Sequence, residues 1–242
     1  MGQVSIDPSI LFSEAGMQML LRWIHFLAGI TWIGILYFFN LVNVNFMKSI
    51  DAPTKGKVIP NMLAPALWYF RWGAVFTWLS GVIYFAWITS AEGTHAALGI
   101  WLVIVLAAYA IMYFCIEIQK INNGGVLAAI SAVLILAMTY AIAHFTGFAS
   151  SRSISIGIGG GIGTLMLLNV WGIIWRHQQR IIAWTKENVE KGTAIPAESA
   201  ALGRRAFLAS RSNAWMSLPM LFFMGAASHL PLFSVAGGLP GA

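Results

Sequence analysis

Residues 95–118 read HAALGIWLVIVLAAYAIMYFCIEI, and this run decides the fold because it is long, apolar and nearly free of charge. A helix needs about 20 apolar residues to cross the hydrocarbon of a bilayer. Five further runs of this kind cover residues 17–47, 68–89, 126–148, 154–174 and 214–232. Pro219 and Pro231 interrupt the last run, which could therefore be a re-entrant segment instead of a span. The pattern predicts an all-α, polytopic transmembrane helical bundle of about six spans.

The overall composition points to the same class of protein. Of the 242 residues, 59% are hydrophobic and only 9% are charged, whereas soluble domains have about 25% charged residues. The net charge of +6 comes from residues in short loops, without a basic helix or an RNA-binding motif. It therefore indicates membrane orientation and no nucleic-acid partner. The single cysteine, Cys115, excludes an internal disulfide and the C-x-x-C-H site of covalently attached haem.

Lysine and arginine are distributed unequally between the two sides of the predicted bundle. All 14 except Arg22 and Arg152 fall in the loops or span ends of one side. Because such an excess marks the cytoplasmic side, we expect both termini outside, in a bacterial inner (cytoplasmic) membrane. The start of the chain has neither the basic region nor the cleavage site of a signal peptide. The expected division is a surface segment at 1–16, a membrane domain at 17–232 with a cytoplasmic loop at 176–213, and a flexible tail at 233–242.

Four of the five histidines lie at the same, outer end of different apolar runs: His25, His95, His144 and His229. Imidazole is costly inside a bilayer and tends to mark function there. Histidines that converge from separate helices predict metal ligands, and two facing imidazoles could bind a haem iron, while four could bind two haems. For any single histidine the alternative is a polar tip that faces the lipid headgroups, and this alternative fits His95 best.

Two arginines near these histidines could bind the propionates of a haem. Arg22 precedes His25 by about one helical turn, and Arg152 follows the fourth apolar run. Arg22 could equally be an ordinary interface anchor. Copper is the rival metal because the chain has 11 methionines, but these are scattered without a repeated Met or His motif, as is typical of core packing.

Three other features have ordinary structural interpretations. His177 lies among basic and amide residues, which predicts a basic anchor at the cytoplasmic side. Glu117 and Lys120 are three residues apart, as in a surface ion pair of a helix. The glycines of 157–163 lack the preceding strand and the acidic partner of a dinucleotide-binding loop. They instead predict close helix packing, or backbone that lies against a cofactor.

Several motifs can be compared with known families. They are WIHFLAGITWIG at 23–34, LAP at 63–65, WYFRW at 68–72, TWLSG at 77–81, GTLMLLNV at 163–170, RSN at 211–213, LP at 218–219 and SHLP at 228–231. In this order they resemble the membrane domain of PuuD-type, cytochrome-c-linked urate oxidases, the urate oxidase N-terminal family. The first motif has looser counterparts in the HemJ-type protoporphyrinogen oxidases and the CopD family. Gly157 stands where the resemblance leads us to expect a histidine, and His177 where we expect an asparagine.

The resemblance implies an integral-membrane haem b redox protein that passes electrons to an external c-type cytochrome. His25, His144 and His229 stand where family histidines are expected, and His95 is a weaker fourth ligand. The donor would be a small purine-like molecule, and the fused cytochrome c domain of the full-length enzymes is expected to be missing. The alternative is a non-catalytic haem-bearing or structural subunit of a larger respiratory or photosynthetic membrane complex. A third hypothesis is HemJ-like oxidation of a porphyrinogen.

Overall fold

The computed structural model describes residues 7–235, and this part of the chain is helical, with no strand. Six long helices follow one another: α1 (Glu14–Ser49), α2 (Ala52–Ala91), α3 (Ala97–Ile118), α4 (Gly124–Phe145), α5 (Ser151–Lys191) and α6 (Glu198–His229). A short 3-10 turn at Pro8–Phe12 precedes α1. The predicted all-α class is confirmed. Residues 1–6 and 236–242, on which the predicted sidedness of the termini and most of the predicted tail fall, lie outside the described residues.

Side-chain caps explain where three of the helices begin. The Ser13 hydroxyl accepts a hydrogen bond from the backbone N–H of Gly16 (3.2 Å) at the start of α1. The Asn123 side chain accepts from two backbone N–H groups in the first turn of α4. Ser150 and Ser153 cap α5 reciprocally through their side chains and backbone N–H groups. These caps satisfy N–H groups that have no partner within the helix.

Consecutive helices run antiparallel, which gives the bundle two ends. We call one end the histidine end, because Arg22, Arg152 and the four predicted histidine ligands lie there. The remaining lysines and arginines lie towards the opposite end, which we call the basic end. At the histidine end the Ser150 hydroxyl donates to Glu92 (2.6 Å), and at the basic end Arg204 donates to the Asn122 side chain (2.7 Å).

Helix α5 lies at the centre of the bundle. In its most apolar stretch 67% of the residues are buried, against 22–28% in the corresponding stretches of α1 to α4. Its glycines allow neighbours to approach closely, since a Cβ atom at Gly159 would lie 3.3 Å from the carbonyl oxygen of Met220 in α6. A Cβ atom at Gly73 in α2 would likewise lie 3.3 Å from the Ala28 oxygen in α1. Small residues at such crossings are typical of helices packed in membranes.

Buried amide side chains fasten α6 to its neighbours within the bundle. Asn169 in α5 donates to Asn213 (2.9 Å), and Asn213 donates in turn to a backbone carbonyl of α5 (2.9 Å). Asn40 in α1 donates to the Ser210 hydroxyl (2.9 Å). These bonds connect α1, α5 and α6 below the histidine end and so fix the relative positions of three helices that line the site described next.

Within residues 7–235, α1 to α5 are long and apolar enough to cross a membrane. Helix α6 is not one of these five, and its first half carries Arg204, Arg205 and Arg211. It is nevertheless one continuous helix that passes through Pro219 to His229 without reversing direction. The segment 176–213, which the sequence indicates as a loop, consists largely of the ends of α5 and α6, joined by a turn in which Gly192 has a φ of 72°.

Candidate functional site

A cavity of about 450 Å³ lies at the histidine end between α1, α2, α5 and α6, with one side chain contributed by α3. Cofactor and ligand pockets in proteins are typically about 300–1,000 Å³. Four of the six residues that the sequence suggests as a site line this one cavity: His25, His229, Arg22 and Arg152. They come from three different helices, so only the folded bundle brings them together.

Glycines keep one wall of the cavity open. Gly160 and Gly163 of α5 and Gly225 of α6 all line it. A Cβ atom at Gly163 or Gly225 would have no heavy atom within 4 Å, apart from the adjacent residues and the nearby backbone of its own helix. The space beside these backbones is therefore free to receive the face of a flat ligand.

His25 is half-buried in this cavity and held against α2. Its Nδ1 atom lies 3.4 Å from the Ser80 hydroxyl oxygen, which is itself 2.7 Å from the carbonyl oxygen of Phe76. The Ser80 hydroxyl can donate to this carbonyl or to that of Thr77 (3.0 Å), which leaves its oxygen available to accept from Nδ1–H of His25. This tautomer leaves Nε2 with a free lone pair, as a metal ligand requires.

The packing of His25 against Gly81 fixes the position of the ring. A Cβ atom at Gly81 would lie 2.9 Å from Cε1 and 3.1 Å from Nδ1 of the imidazole. Real Cβ atoms do not approach other atoms this closely, so residue 81 must lack a side chain for His25 to occupy its observed position. Ser80 and Gly81 therefore determine the position of the His25 ring, which explains part of the TWLSG motif at 77–81 in physical terms.

Arg22 and Arg152 share a single neutral partner beside the cavity. Arg22 Nε donates to the Tyr84 hydroxyl (2.9 Å), and Arg152 Nη2 donates to the same oxygen (2.5 Å). Within residues 7–235, neither guanidinium has a carboxylate within 4.0 Å. The two positive charges are consequently not neutralised by the protein, and this side of the cavity is suited to an anionic group.

The remaining wall of the cavity is aromatic and apolar. Trp32, Trp78, Phe85 and Trp101 contribute to it. Trp78 Nε1 donates to the Thr164 hydroxyl (3.0 Å), whereas the buried Trp32 Nε1 has no partner among the described residues. Trp32 thus presents an unused hydrogen-bond donor, and buried donors usually have a partner.

His229 is the last residue of α6 and is largely exposed. The two other predicted ligands lie outside the cavity lining. His95 is exposed in the turn between α2 and α3, and His144 is exposed near the end of α4, where its ring contacts that of Tyr140 in a tilted arrangement with centroids 4.4 Å apart. The structure therefore brings His25 and His229 to one cavity and leaves His95 and His144 elsewhere at the histidine end.

Two interpretations of the sequence at the basic end are wrong. His177 is not an exposed anchor, because only 2% of its side chain is exposed and its Nε2 atom lies 2.7 Å from Glu117 Oε1. Glu117 is not in a surface pair with Lys120, because its other oxygen accepts from Arg205 (3.1 Å). Helix α3 ends at Ile118, and Lys120 has a φ of 52°, so it is not on the next turn of a helix.

The residues around the cavity are of the types that could hold a haem. The half-buried imidazole could serve as an axial ligand, the open glycine backbone could lie against a flat ring, and the two arginines without carboxylates could bind propionates. Within residues 7–235 there is no group of three or more His, Cys, Asp or Glu side chains placed to hold a metal ion. A haem needs fewer protein ligands, because the porphyrin supplies four nitrogens and the protein adds one or two side chains.

Sequence reasoning did not assign three residues of the site. Ser80 and Gly81 appear there only within the TWLSG motif, without a role, and Tyr84 not at all, because all three act through contacts with α1 and α5, which are distant along the chain. Gly157, the position where a histidine was expected, has no room for one: a Cβ atom there would lie 2.8 Å from the Phe148 ring. Its carbonyl accepts from Trp101 Nε1 (2.7 Å), so position 157 contributes to packing.

A family model described as "Urate oxidase N-terminal" matches residues 50–236. The match includes α2 to α6 and begins after Arg22 and His25 in α1. No curated protein and no solved structure matches the chain. Since the family model covers well over half of the sequence, the chain belongs to the urate oxidase N-terminal family.

Proposed function

We propose that this membrane protein is a haem b redox protein whose cavity at the histidine end holds the haem noncovalently. The observation that carries the proposal is that His25 and His229, from different helices, line the same cavity as two arginines without carboxylate partners. Haem iron, when bound, supplies reversible one-electron chemistry. The geometry favours one haem. His95 and His144 remain predicted ligands, but they do not line the cavity.

The chain's own residues would bind and tune the cofactor. Ser80 holds the tautomer of His25, and Gly81 gives its ring a defined position. Arg22 and Arg152 would bind the propionates, and their positive charge would favour the reduced form of a nearby redox centre. The aromatic wall excludes water and lowers the local dielectric constant, which strengthens these electrostatic effects.

The orientation of the bundle and the family support the electron partners that we propose. Because almost all lysines and arginines lie at the basic end, we infer that this end faces the cytoplasm and that the histidine end faces outward. A c-type cytochrome on the outer side would then be the electron acceptor. The family description supports a urate-like purine as the donor.

Turnover by detergent-purified protein tests this function. The protein is mixed with urate and oxidised cytochrome c, and cytochrome reduction is followed by absorbance. We expect urate-dependent reduction that is lost in His25→Ala and retained in His95→Ala, since His95 lies outside the cavity.

A haem-containing protein that co-purifies with other subunits and shows no urate-dependent reduction would instead support the alternative of a haem-bearing subunit of a larger complex. Haem-dependent oxidation of protoporphyrinogen without urate turnover would support the HemJ-like hypothesis. Either outcome would contradict the proposed donor.

A further inference from the structure

A second groove lies at the basic end, away from the cavity at the histidine end, and shares no lining residue with it. It runs between the first turns of α4 and the middle of α6, with a volume of about 390 Å³. The residues that determine its chemistry are Gly124, Arg204, Phe207, Arg211 and Trp215. Arg211 is the first residue of the RSN motif. The hydrogen bonds of Asn213 to α5 explain the last residue of this motif, but the proposed redox function gives Arg211 no role.

The charge of Arg211 has no partner among the described residues. Its guanidinium lies 5.3 Å from the centre of the Phe207 ring, and it has no hydrogen bond and no carboxylate within 4.0 Å in residues 7–235. Arg204, on the same face of α6, donates to the side chain and the carbonyl of Asn122 (2.7 and 2.9 Å) but likewise has no carboxylate. The groove therefore carries two uncompensated positive charges.

The position of this groove along α6 corresponds to one boundary of a bilayer if His229 lies at the other. From Arg211 to His229, α6 rises by about 27 Å at roughly 1.5 Å per residue, close to the hydrocarbon thickness of about 30 Å. If His229 lies at one boundary, Arg211 lies near the other and Arg204 lies in the headgroup region. Trp215, 57% exposed one turn further in, is placed as tryptophans of the interface belt usually are.

We propose that this groove binds the headgroup of an anionic phospholipid from the leaflet at the basic end. The phosphodiester would lie between Arg211 and Arg204, and the acyl chains would pass over Trp215. Gly124 and Gly125 line the groove at the start of α4, where the helix dipole adds a favourable positive potential. Basic pockets between transmembrane helices are typical sites for such lipids.

Thermal unfolding of the detergent-purified protein with added lipid tests this proposal. Phosphatidylglycerol and phosphatidylcholine with identical acyl chains are titrated separately, and the rise in Tm gives an apparent affinity for each. We expect tighter binding of phosphatidylglycerol, weakened roughly five- to tenfold in Arg211→Gln. Arg211→Lys should bind with intermediate affinity because it keeps the charge but loses the bidentate fork.

A matched control is the double variant Lys186→Gln/Lys191→Gln, which removes two exposed charges of the same end that are paired with Glu190 and Glu187. It should keep the phosphatidylglycerol effect. The Tm without lipid and the haem content of Arg211→Gln should equal the wild-type values, which separates this site from the cavity and from misfolding. An unchanged lipid effect in Arg211→Gln would overturn the proposal, as would equal stabilisation by inorganic phosphate at matched ionic strength.

Discussion

His25 occupies the space that a side chain at residue 81 would need, because a Cβ atom on Gly81 would lie 2.9 Å from Cε1 of its imidazole. Gly81→Ala should therefore displace the ring by several tenths of an ångström and weaken axial ligation. We expect a lower haem content or a shifted Soret band relative to wild type. Gly34→Ala is the matched control, since a Cβ atom there meets nothing within 4 Å. Equal spectra for the two variants would contradict the claim that Gly81 determines the position of the His25 ring.

Ser80→Ala removes the acceptor that fixes the tautomer of His25. Loss of a group that orients a metal ligand typically costs about 10–100-fold in metal affinity. The haem dissociation rate, measured by transfer to apomyoglobin, should rise accordingly. Ser131→Ala controls for loss of a serine hydroxyl that bonds to its own helix (Ser131 Oγ to Leu127 O, 2.7 Å). A wild-type dissociation rate in Ser80→Ala would show that Ser80 does not orient the ligand.

Arg22→Gln and Arg152→Gln each remove one of two positive charges beside the cavity. A nearby positive charge favours the reduced form of a redox centre, because reduction adds an electron. We therefore expect a lower midpoint potential in each variant, with a larger decrease in the double variant. Tyr84→Phe should change the potential less, since it keeps both charges and removes only their shared acceptor. Potentiometric titration measures these values, and an increase in either arginine variant would refute the electrostatic account.

Glu117, His177 and Arg205 join α3, α5 and α6 through a polar cluster around the buried Glu117 carboxylate. Glu117→Gln leaves Arg205 without its carboxylate and should reduce the free energy of unfolding by about 3–5 kcal/mol. Arg180→Gln breaks the exposed pair with Glu198 and should cost only about 0–1 kcal/mol. Unfolding in detergent measures both. Similar losses in the two variants would show that burial does not strengthen the Glu117 cluster.

The sequence was sufficient for the class of fold and for the end at which the histidines lie. Run length and composition identify membrane-crossing helices, and the alternation of direction then assigns each histidine to an end. Helix neighbours could not be derived in this way. His25 and His229 share a cavity because α1 and α6 pack beside α2 and α5. His144, in contrast, is on an exposed part of α4. Nothing in the sequence next to His25, His229 or His144 distinguishes these environments.

The errors at the basic end have the same physical cause. Glu117 and Lys120 have helical spacing, but the helix ends between them, and the true partners of Glu117 are 60 and 88 residues away in the chain. Pro219 suggested an interrupted segment, yet α6 continues through it. Neighbouring helices can satisfy the backbone groups that a proline frees, so a proline need not end a helix within a bundle.

The central claim is that His25 and His229 bind one noncovalent haem b, and a reduced-minus-oxidised difference spectrum with pyridine haemochrome quantitation tests it most directly. Wild-type protein should give a b-type spectrum with one haem per chain. His25→Ala and His229→Ala should each lose or shift this signal, while His95→Ala and His144→Ala should keep it. Absence of a b-type signal in correctly assembled protein, or its loss only in the His95 or His144 variant, would contradict the account.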